Sequence, residues 1–279
     1  MAVDGMRVAG DPVPPTKAVP VTPKRRPRQS RDDIRSLLLE AAQDILREEG
    51  LGVGTDTLTF KRVYERVEQN TGLRLTNASV IRRVWDNLAD YRTDVLLSIA
   101  SDEDHVEMAD TLEALVPILE RPDLSTLERR SSTLTELCRV GGNANIVSIR
   151  DSENWPLWFG VWSQATAGEI TRQKQRLQGA LFKGYESVTG VYTATFQALA
   201  DLIGYRLRPG LTIRQFAVSV GALAEGCTLR NRVEGDADGI LLPTGPDGEV
   251  QEWSLFAVGV EALARRFFEP DPDWAPPAA

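Results

Sequence analysis

The chain has few of the residues on which nucleophilic catalysis, disulfide frameworks and metal sites depend. Its 279 residues include one histidine, His105, and two cysteines, Cys138 and Cys227. The histidine lies in the acidic run SDEDHVEMAD, so no Ser-His-Asp or Cys-His set can be assembled from any motif of the chain. Two cysteines build no disulfide framework, and their scarcity is typical of the reducing cytoplasm. We therefore predict a cytoplasmic protein that is not an enzyme and carries no cofactor or metal.

Long apolar runs and nucleotide-binding motifs are also missing. Without a long uninterrupted apolar stretch, the sequence predicts neither a signal peptide nor a membrane partner. The glycine-rich residues 50–54 follow no strand and precede no Lys-Ser/Thr pair, which favours a plain loop over a phosphate-binding one. Asp102, Asp104 and His105 carry potential metal ligands, but the acidic run around them favours a solvated helix start over a metal site.

The negative charge is unevenly distributed. The net charge is −8, yet residues 22–100 carry 14 Lys/Arg against 12 Asp/Glu, while residues 101–279 carry 16 against 26. Affinity for nucleic acid depends on the local surface rather than on the total. This asymmetry predicts a small DNA-binding head on a larger acidic body.

Residues 1–30 form a proline-rich arm that ends in the basic run TPKRRPRQS. Proline disfavours helix here, so we expect an extended, disordered segment. Two interpretations stay open: a solvated tail, or an arm that reaches phosphates or a minor groove beside the main DNA contact. The second interpretation uses the basic side chains Lys24, Arg25, Arg26 and Arg28.

Residues 58–91 have the pattern of two helices around a tight turn, followed by the start of a third. Apolar residues recur at helical spacing until Asn70-Thr71-Gly72, where asparagine and glycine favour a helix end. A polar start, Thr76-Asn77-Ala78-Ser79, then precedes another apolar series. Such a pair predicts a helix-turn-helix, whose second helix lies in the DNA major groove.

The surrounding residues carry a resemblance to a known family. The order AAQDILREEG, LTFKRVYERV, GL, NASVIRRVW, DNLADYRTDVL resembles the DNA-binding head of TetR/AcrR (tetracycline-repressor-like) transcriptional regulators. The likeness covers about residues 31–100 and extends weakly to LTIRQFAVSVGALAEGCTLRNRVEG. Two features depart from the family: the extra Arg74-Leu75-Thr76 before the recognition helix, and Arg82 in place of a common phosphate-contacting tyrosine.

The resemblance implies a set of DNA-contacting residues. The groove-facing helix would present Thr76, Asn77, Ala78, Ser79, Arg82 and Arg83. Thr59, Lys61 and Arg62 would lie at the start of the supporting helix, and Tyr91 and Arg92 would touch phosphate at the start of the connecting helix. Taken alone, the same arginines would be interpreted as a solvated face; together with the helix pair they favour contact with DNA.

The remainder predicts a helical body. We expect one helix from Leu124 to Val140 that ends at Gly141-Gly142, and another from Arg172 to Leu207 that ends at Pro209-Gly210. Asp247-Gly248 predicts the turn of a small hairpin. In the family, helices corresponding to those near residues 212–233 and 253–267 meet a second copy in a four-helix dimer interface; an intramolecular core is the alternative.

Aromatic residues concentrate in one part of the body. Trp155, Trp158, Phe159 and Trp162 share one face of a predicted helix. They suit a packed core, or they line a ligand cavity with mostly apolar walls. Tyr185 and Tyr192 on the next helix would supply polar groups to such a cavity, or pack in the core.

Together these observations predict an all-α protein in three parts. These are a disordered basic arm (residues 1–30), a three-helix helix-turn-helix DNA-binding head (31–87) and a helical ligand-binding and dimerisation domain (88–279). The predicted function is a homodimeric transcriptional repressor that binds a palindromic double-stranded DNA operator and responds to a small apolar or aromatic effector. The alternative is a helical ligand-binding or adaptor protein that no longer binds DNA.

Overall fold

The computed structural model describes residues 30–51, 54–75, 84–101, 106–120, 122–235, 239–244 and 248–275. Helices dominate these ranges, which confirms the predicted all-α fold class. The helices of the described residues are α1 (Arg31–Glu49), α2 (Phe60–Thr71), α3 (Leu88–Ala100), α4 (Val106–Glu120), α5 (Leu127–Asp151), α6 (Trp155–Thr166), α7 (Arg172–Leu202), α8 (Ile213–Glu234) and α9 (Leu255–Phe267).

Short strands form two antiparallel pairs. Strand β2 (Ile240–Thr244) pairs with β3 (Glu249–Trp253), which confirms the predicted hairpin between α8 and α9. Strand β1 (Tyr205–Leu207) pairs with β4 (Phe268–Pro270), a contact that the sequence pattern did not predict. The second pair ties the end of α7 to the chain segment that follows α9.

Helices α1 and α2 begin at side-chain caps, and α2 ends where the sequence predicts. Ser30 and Asp33 form a reciprocal capping box at the start of α1. The Thr59 hydroxyl accepts from the backbone N–H of Arg62 at the start of α2. Gly72, with φ 67°, ends α2 in the left-handed conformation that glycine tolerates best.

Two predicted helix ends in the body are wrong. Helix α5 does not stop at Gly141-Gly142 but continues to Asp151. A Cβ on Gly142 would lie 2.7 Å from the Cα and Cβ of Ala257, so this glycine allows α9 to pack closely against α5. Helix α7 ends at Leu202 rather than at Pro209-Gly210, because the chain turns at Gly204, with φ 72°, into strand β1.

The buried apolar residues form two clusters, and the first crosses the predicted boundary at residue 87/88. It joins α1, α2 and α3 to α6 and α7, with Leu38 and Val95 in the same cluster as Leu157, Val161 and Leu177. The second cluster lies between α5, α7, α8 and α9. The head therefore shares a core with two body helices, and the division into domains stays a prediction.

Candidate nucleic-acid interface and effector cavity

Most of the predicted DNA-contacting residues lie outside the described residues, and their role stays a prediction. These are Lys24, Arg25, Arg26 and Arg28 of the arm, and Thr76, Asn77, Ala78, Ser79, Arg82 and Arg83 of the predicted recognition helix.

The two ends of segment 76–83 are attached to the head. On the N-terminal side, Leu73 and Leu75 are partly buried against the first apolar cluster. On the C-terminal side, Arg31 donates a hydrogen bond of 3.1 Å to the carbonyl of Val84. Trp85 follows and is only 7% exposed. Both flanks are therefore fixed by packing or hydrogen bonding.

Asp94 of α3 holds the C-terminal flank in place. Its carboxylate accepts two hydrogen bonds from Arg35 of α1, at 2.8 and 2.9 Å. The indole N–H of Trp85 donates a third, at 2.9 Å. The Trp85 ring also packs edge-on against Tyr91, with ring centroids 4.7 Å apart. Asp94 thus links α1, α3 and the residues that follow segment 76–83.

The polar side chains at the start of α2 all have partners within the protein but differ in exposure, and Lys61 pairs with Glu65 at 3.9 Å. Thr59 is exposed and caps the helix, and the Lys61 side chain is 84% exposed. Arg62 is instead paired with Glu49 of α1 and also donates to the carbonyl of Thr57. Lys61 is therefore the most accessible of the predicted contacts on this turn.

The structure contradicts the predicted phosphate contact of Tyr91. Its side chain is fully buried, and its hydroxyl donates a hydrogen bond of 2.7 Å to the carbonyl of Leu38. Burial also raises the pKa of Tyr91 well above its ordinary value. Arg92 is 21% exposed and donates to the carbonyls of Asp56 and Leu58. It holds the loop between α1 and α2.

A cavity of about 1300 Å³ lies between α1, α3 and α4 on one side and α5, α6, α7 and α8 on the other. Four of the six predicted ligand-binding aromatics line it: Trp155, Trp158, Tyr185 and Tyr192. The other two do not. Phe159 stacks between Trp155 and Trp162, with centroid distances of 5.4 and 5.6 Å, and supports the wall by packing.

Glu225 of α8 lies in the wall of this cavity and was not predicted from the sequence. Burial raises the pKa of Glu225 above its ordinary value, and the hydroxyl of Tyr185 partly offsets that rise by donating toward the carboxylate. The pKa of Tyr185 is raised by burial and by the Glu225 charge. The ring of Trp158 packs edge-on against Tyr185, at 5.2 Å between centroids.

The cavity also touches the head. Gln43 and Arg47 of α1 line it. Gln43 donates to Ser98 of α3 at 3.1 Å, and Arg47 donates to Asn154, at the start of α6, at 3.0 Å. A molecule in the cavity would therefore contact side chains that position α1 relative to α3 and α6.

A second, smaller cavity lies deeper in the body. It has a volume of about 90 Å³ and is walled almost entirely by apolar side chains of α4, α5, α7, α8 and α9. Met108 and Tyr192 line both cavities, so the two adjoin. Its polar groups include Asn145, which donates to Thr111 at 3.0 Å.

The described residues contain neither a metal-binding cluster nor a membrane-spanning helix. No three or more of their His, Cys, Asp and Glu side chains are grouped so as to hold a metal ion. Among their helices, none combines the length and the apolar character needed to cross a membrane.

Comparisons with known proteins add likenesses of structure. No protein-family model matches the chain, and no curated protein matches it significantly. The reduced form of NemR from E. coli is 10% identical, with a TM-score of 0.46 and coverage of 85% of this chain and 99% of that one. NalD, the secondary repressor of the MexAB-OprM multidrug efflux pump in Pseudomonas aeruginosa, is 14% identical, with a TM-score of 0.42 and coverage of 88% and 100%. A TetR family transcriptional regulator from Agrobacterium tumefaciens is 14% identical, with a TM-score of 0.39 and coverage of 85% and 96%. This chain is similar to these three proteins.

Proposed function

We propose that this protein is a homodimeric, cytoplasmic transcriptional regulator, most simply a repressor, that binds a palindromic DNA operator and responds to a small molecule. The observation that carries the proposal is the attachment of both flanks of segment 76–83 to the head. A helix that inserts into a major groove must be held at a fixed angle to its scaffold. The anchoring of Trp85 by Asp94 supports that requirement.

The large cavity supports regulation by an effector. Because Gln43 and Arg47 belong both to the cavity wall and to the contacts between head and body, an occupant can favour one head position over another. Such a ligand shifts the equilibrium only if it binds the two positions with different affinities. In a dimer, the separation of the two heads would then no longer match successive major grooves.

A homodimer is supported by apolar side chains left exposed on α8. Val218, Leu229 and Val233 are 46%, 39% and 80% exposed, and their spacing places them along one side of the helix. A two-fold dimer through this surface would present two recognition helices to a palindromic site.

DNA binding is tested with the arginines of the predicted recognition helix. We would select duplexes from a random pool and from the DNA flanking the coding region, and measure affinity across a range of salt concentrations. Replacing Arg82 and Arg83 together with Ala should weaken binding and reduce the salt slope by about 1.8, at about 0.9 per phosphate contact. Replacing Arg230 and Arg266, which are exposed on α8 and α9, removes the same charge and should leave the slope unchanged. An unchanged slope in the first variant would refute the contact assignment.

A ligand-binding or adaptor protein without DNA function is the competing candidate. It is favoured by one observation: Arg62 and Arg66 of α2 are both paired with glutamates of α1, which leaves less positive charge for DNA. Failure to select any duplex would support it. If DNA is bound, Trp158→Ala should alter the ligand-induced release of DNA while leaving the folded fraction unchanged. Simple destabilisation with a normal response would assign Trp158 to the core.

A further inference from the structure

The charged residues in the wall of the large cavity are mostly acidic. The wall contains five carboxylates and two guanidinium groups: Asp110, Asp151, Glu153, Glu186 and Glu225, with Arg47 and Arg214. The described residues of the wall include no lysine. A cavity with this balance has a negative potential, which favours cations over anions.

Both arginines are already neutralised by carboxylates. Arg47 pairs with Asp44 at 2.6 Å, and Arg214 pairs with Glu186. The wall carboxylate of Asp151 pairs at 2.8 Å with Arg150, which does not itself line the cavity. These pairs leave no wall cation available to a ligand anion.

Glu225 differs from the paired acids in its surroundings. It is partly buried, and among the described residues no cation forms a salt bridge with it. Its polar neighbour is the neutral Tyr185 hydroxyl, which donates toward the carboxylate. Desolvating a carboxylate without a cationic partner is unfavourable, and the rise in its pKa reflects that cost. A cation in the cavity would remove it.

The aromatic side chains in the same cavity wall suit the same kind of ligand. Trp158, Tyr185 and Tyr192 line the cavity, and the face of an aromatic ring attracts a cation. The neighbouring Trp155 already shows this contact within the protein, because the guanidinium of Arg232 lies 5.4 Å from the centroid of its ring. The wall thus combines aromatic surface with a partly buried carboxylate, Glu225, that has no cationic partner among the described residues.

We propose that the large cavity binds an organic cation with aromatic or apolar substituents, with Glu225 as its counter-ion and Trp158 and Tyr185 against its apolar part. A volume of about 1300 Å³ admits a cation with several ring substituents. This proposal names a chemical class for the effector of the proposed function. It rests on that function only where it identifies the bound cation as the effector. The binding itself is independent of DNA.

The test compares two ions of nearly the same size and shape but opposite charge. Calorimetric titration of the full chain with tetraphenylphosphonium and tetraphenylborate should show the cation binding at least about tenfold more tightly. Glu225→Gln keeps the size of the side chain and an acceptor for Tyr185, and it should weaken cation binding about tenfold without weakening anion binding. Glu249→Gln, at an exposed position of strand β3, makes the same change of net charge and should alter neither affinity.

Three results would overturn the proposal: no binding of the cation, equal affinities for the two ions, or unchanged cation affinity in Glu225→Gln. Measuring DNA binding in parallel distinguishes failure of this proposal from failure of the proposed function. If selected duplexes bind but the cation does not, the cavity assignment fails and the regulator stands. If the cation binds through Glu225 but no duplex binds, the cavity assignment stands and the regulator fails. If both bind, the cation should release DNA from the wild-type protein, and Glu225→Gln should need about tenfold more of it.

Discussion

Asp94 is expected to contribute more to the stability of the head than a surface acid of the same kind. Its side chain is 21% exposed and accepts hydrogen bonds from both Arg35 and Trp85. Asp94→Ala leaves the nearly buried indole N–H of Trp85 without an acceptor, which costs about 1–3 kcal/mol. Loss of the pair with Arg35, whose side chain is 44% exposed, adds about 0.2–1 kcal/mol. We therefore expect a total loss of about 1–4 kcal/mol in the free energy of unfolding.

Asp56 provides the matched control for this prediction. It pairs with Arg92 at 2.8 Å but its side chain is 91% exposed, so Asp56→Ala should cost only about 0–1 kcal/mol. Urea unfolding followed by circular dichroism would measure both variants. A double-mutant cycle with Asp94→Ala and Trp85→Phe should give a coupling energy of about 1 kcal/mol between the two side chains. Equal losses for the two aspartates, or zero coupling in the cycle, would refute the assigned role of Asp94.

Three further predictions follow from packing and charge. Gly142→Ala should lower the free energy of unfolding by about 1–3 kcal/mol, because the added methyl group would overlap α9. Gly179 has open space around it, so Gly179→Ala should raise the free energy of unfolding by about 0.5–1 kcal/mol. The midpoints of urea unfolding measure both changes. Tyr91→Phe should cost about 1–2 kcal/mol, because the Leu38 carbonyl loses its donor, and should leave the salt slope of DNA binding unchanged. Glu225→Gln should raise the melting temperature at about pH 8 and lose this effect in acid, where the carboxyl is protonated in the folded and unfolded chain alike.

The sign of the Glu225 effect follows from the direction of its pKa shift. The folded protein binds this proton more tightly than the unfolded chain, so stability falls as the pH rises from the ordinary carboxyl range through the raised pKa. The cost is fully present above the folded pKa, and glutamine removes it. Stabilisation that persisted in acid would have another origin. A reduced salt slope in Tyr91→Phe would support the phosphate contact that the resemblance implied for Tyr91. Equal changes in stability at Gly142 and Gly179 would contradict the close approach of α9 to α5.

The sequence pattern was sufficient for the helices of the head because each has a local signal. Ser30 and Thr59 cap α1 and α2, and Gly72 ends α2. The helix ends of the body were harder to predict because some of them depend on residues that are distant in the sequence. Gly141-Gly142 has the local pattern of a helix end, but the approach of α9, more than a hundred residues later, gives the pair a packing role inside α5.

The site residues also divide into those with a local signal in the sequence and those that depend on distant contacts. The aromatic face of α6 and the tyrosines of α7 were visible as helical spacing, and four of these six side chains do line the cavity. Glu225 was missed because one acid among small and apolar residues is typical of a solvated helix face. Its distinguishing neighbour, Tyr185, lies forty residues earlier and is brought near only by the packing of α7 against α8. Tyr91 was misassigned because resemblance gives a position in the chain but not the direction of a side chain.

The core shared by α1, α3, α6 and α7 bears on how this protein can be cut or transplanted. A fragment that ends at residue 87 would lose Tyr91 and Val95 and open the hydrophobic interior of the head to water. A longer fragment that ends after α3 would still lack Leu157 and Val161. Chimeras that exchange α1, α2 and α3 with those of another protein should therefore carry α6 and the first half of α7 with them, although these helices lie far away along the chain.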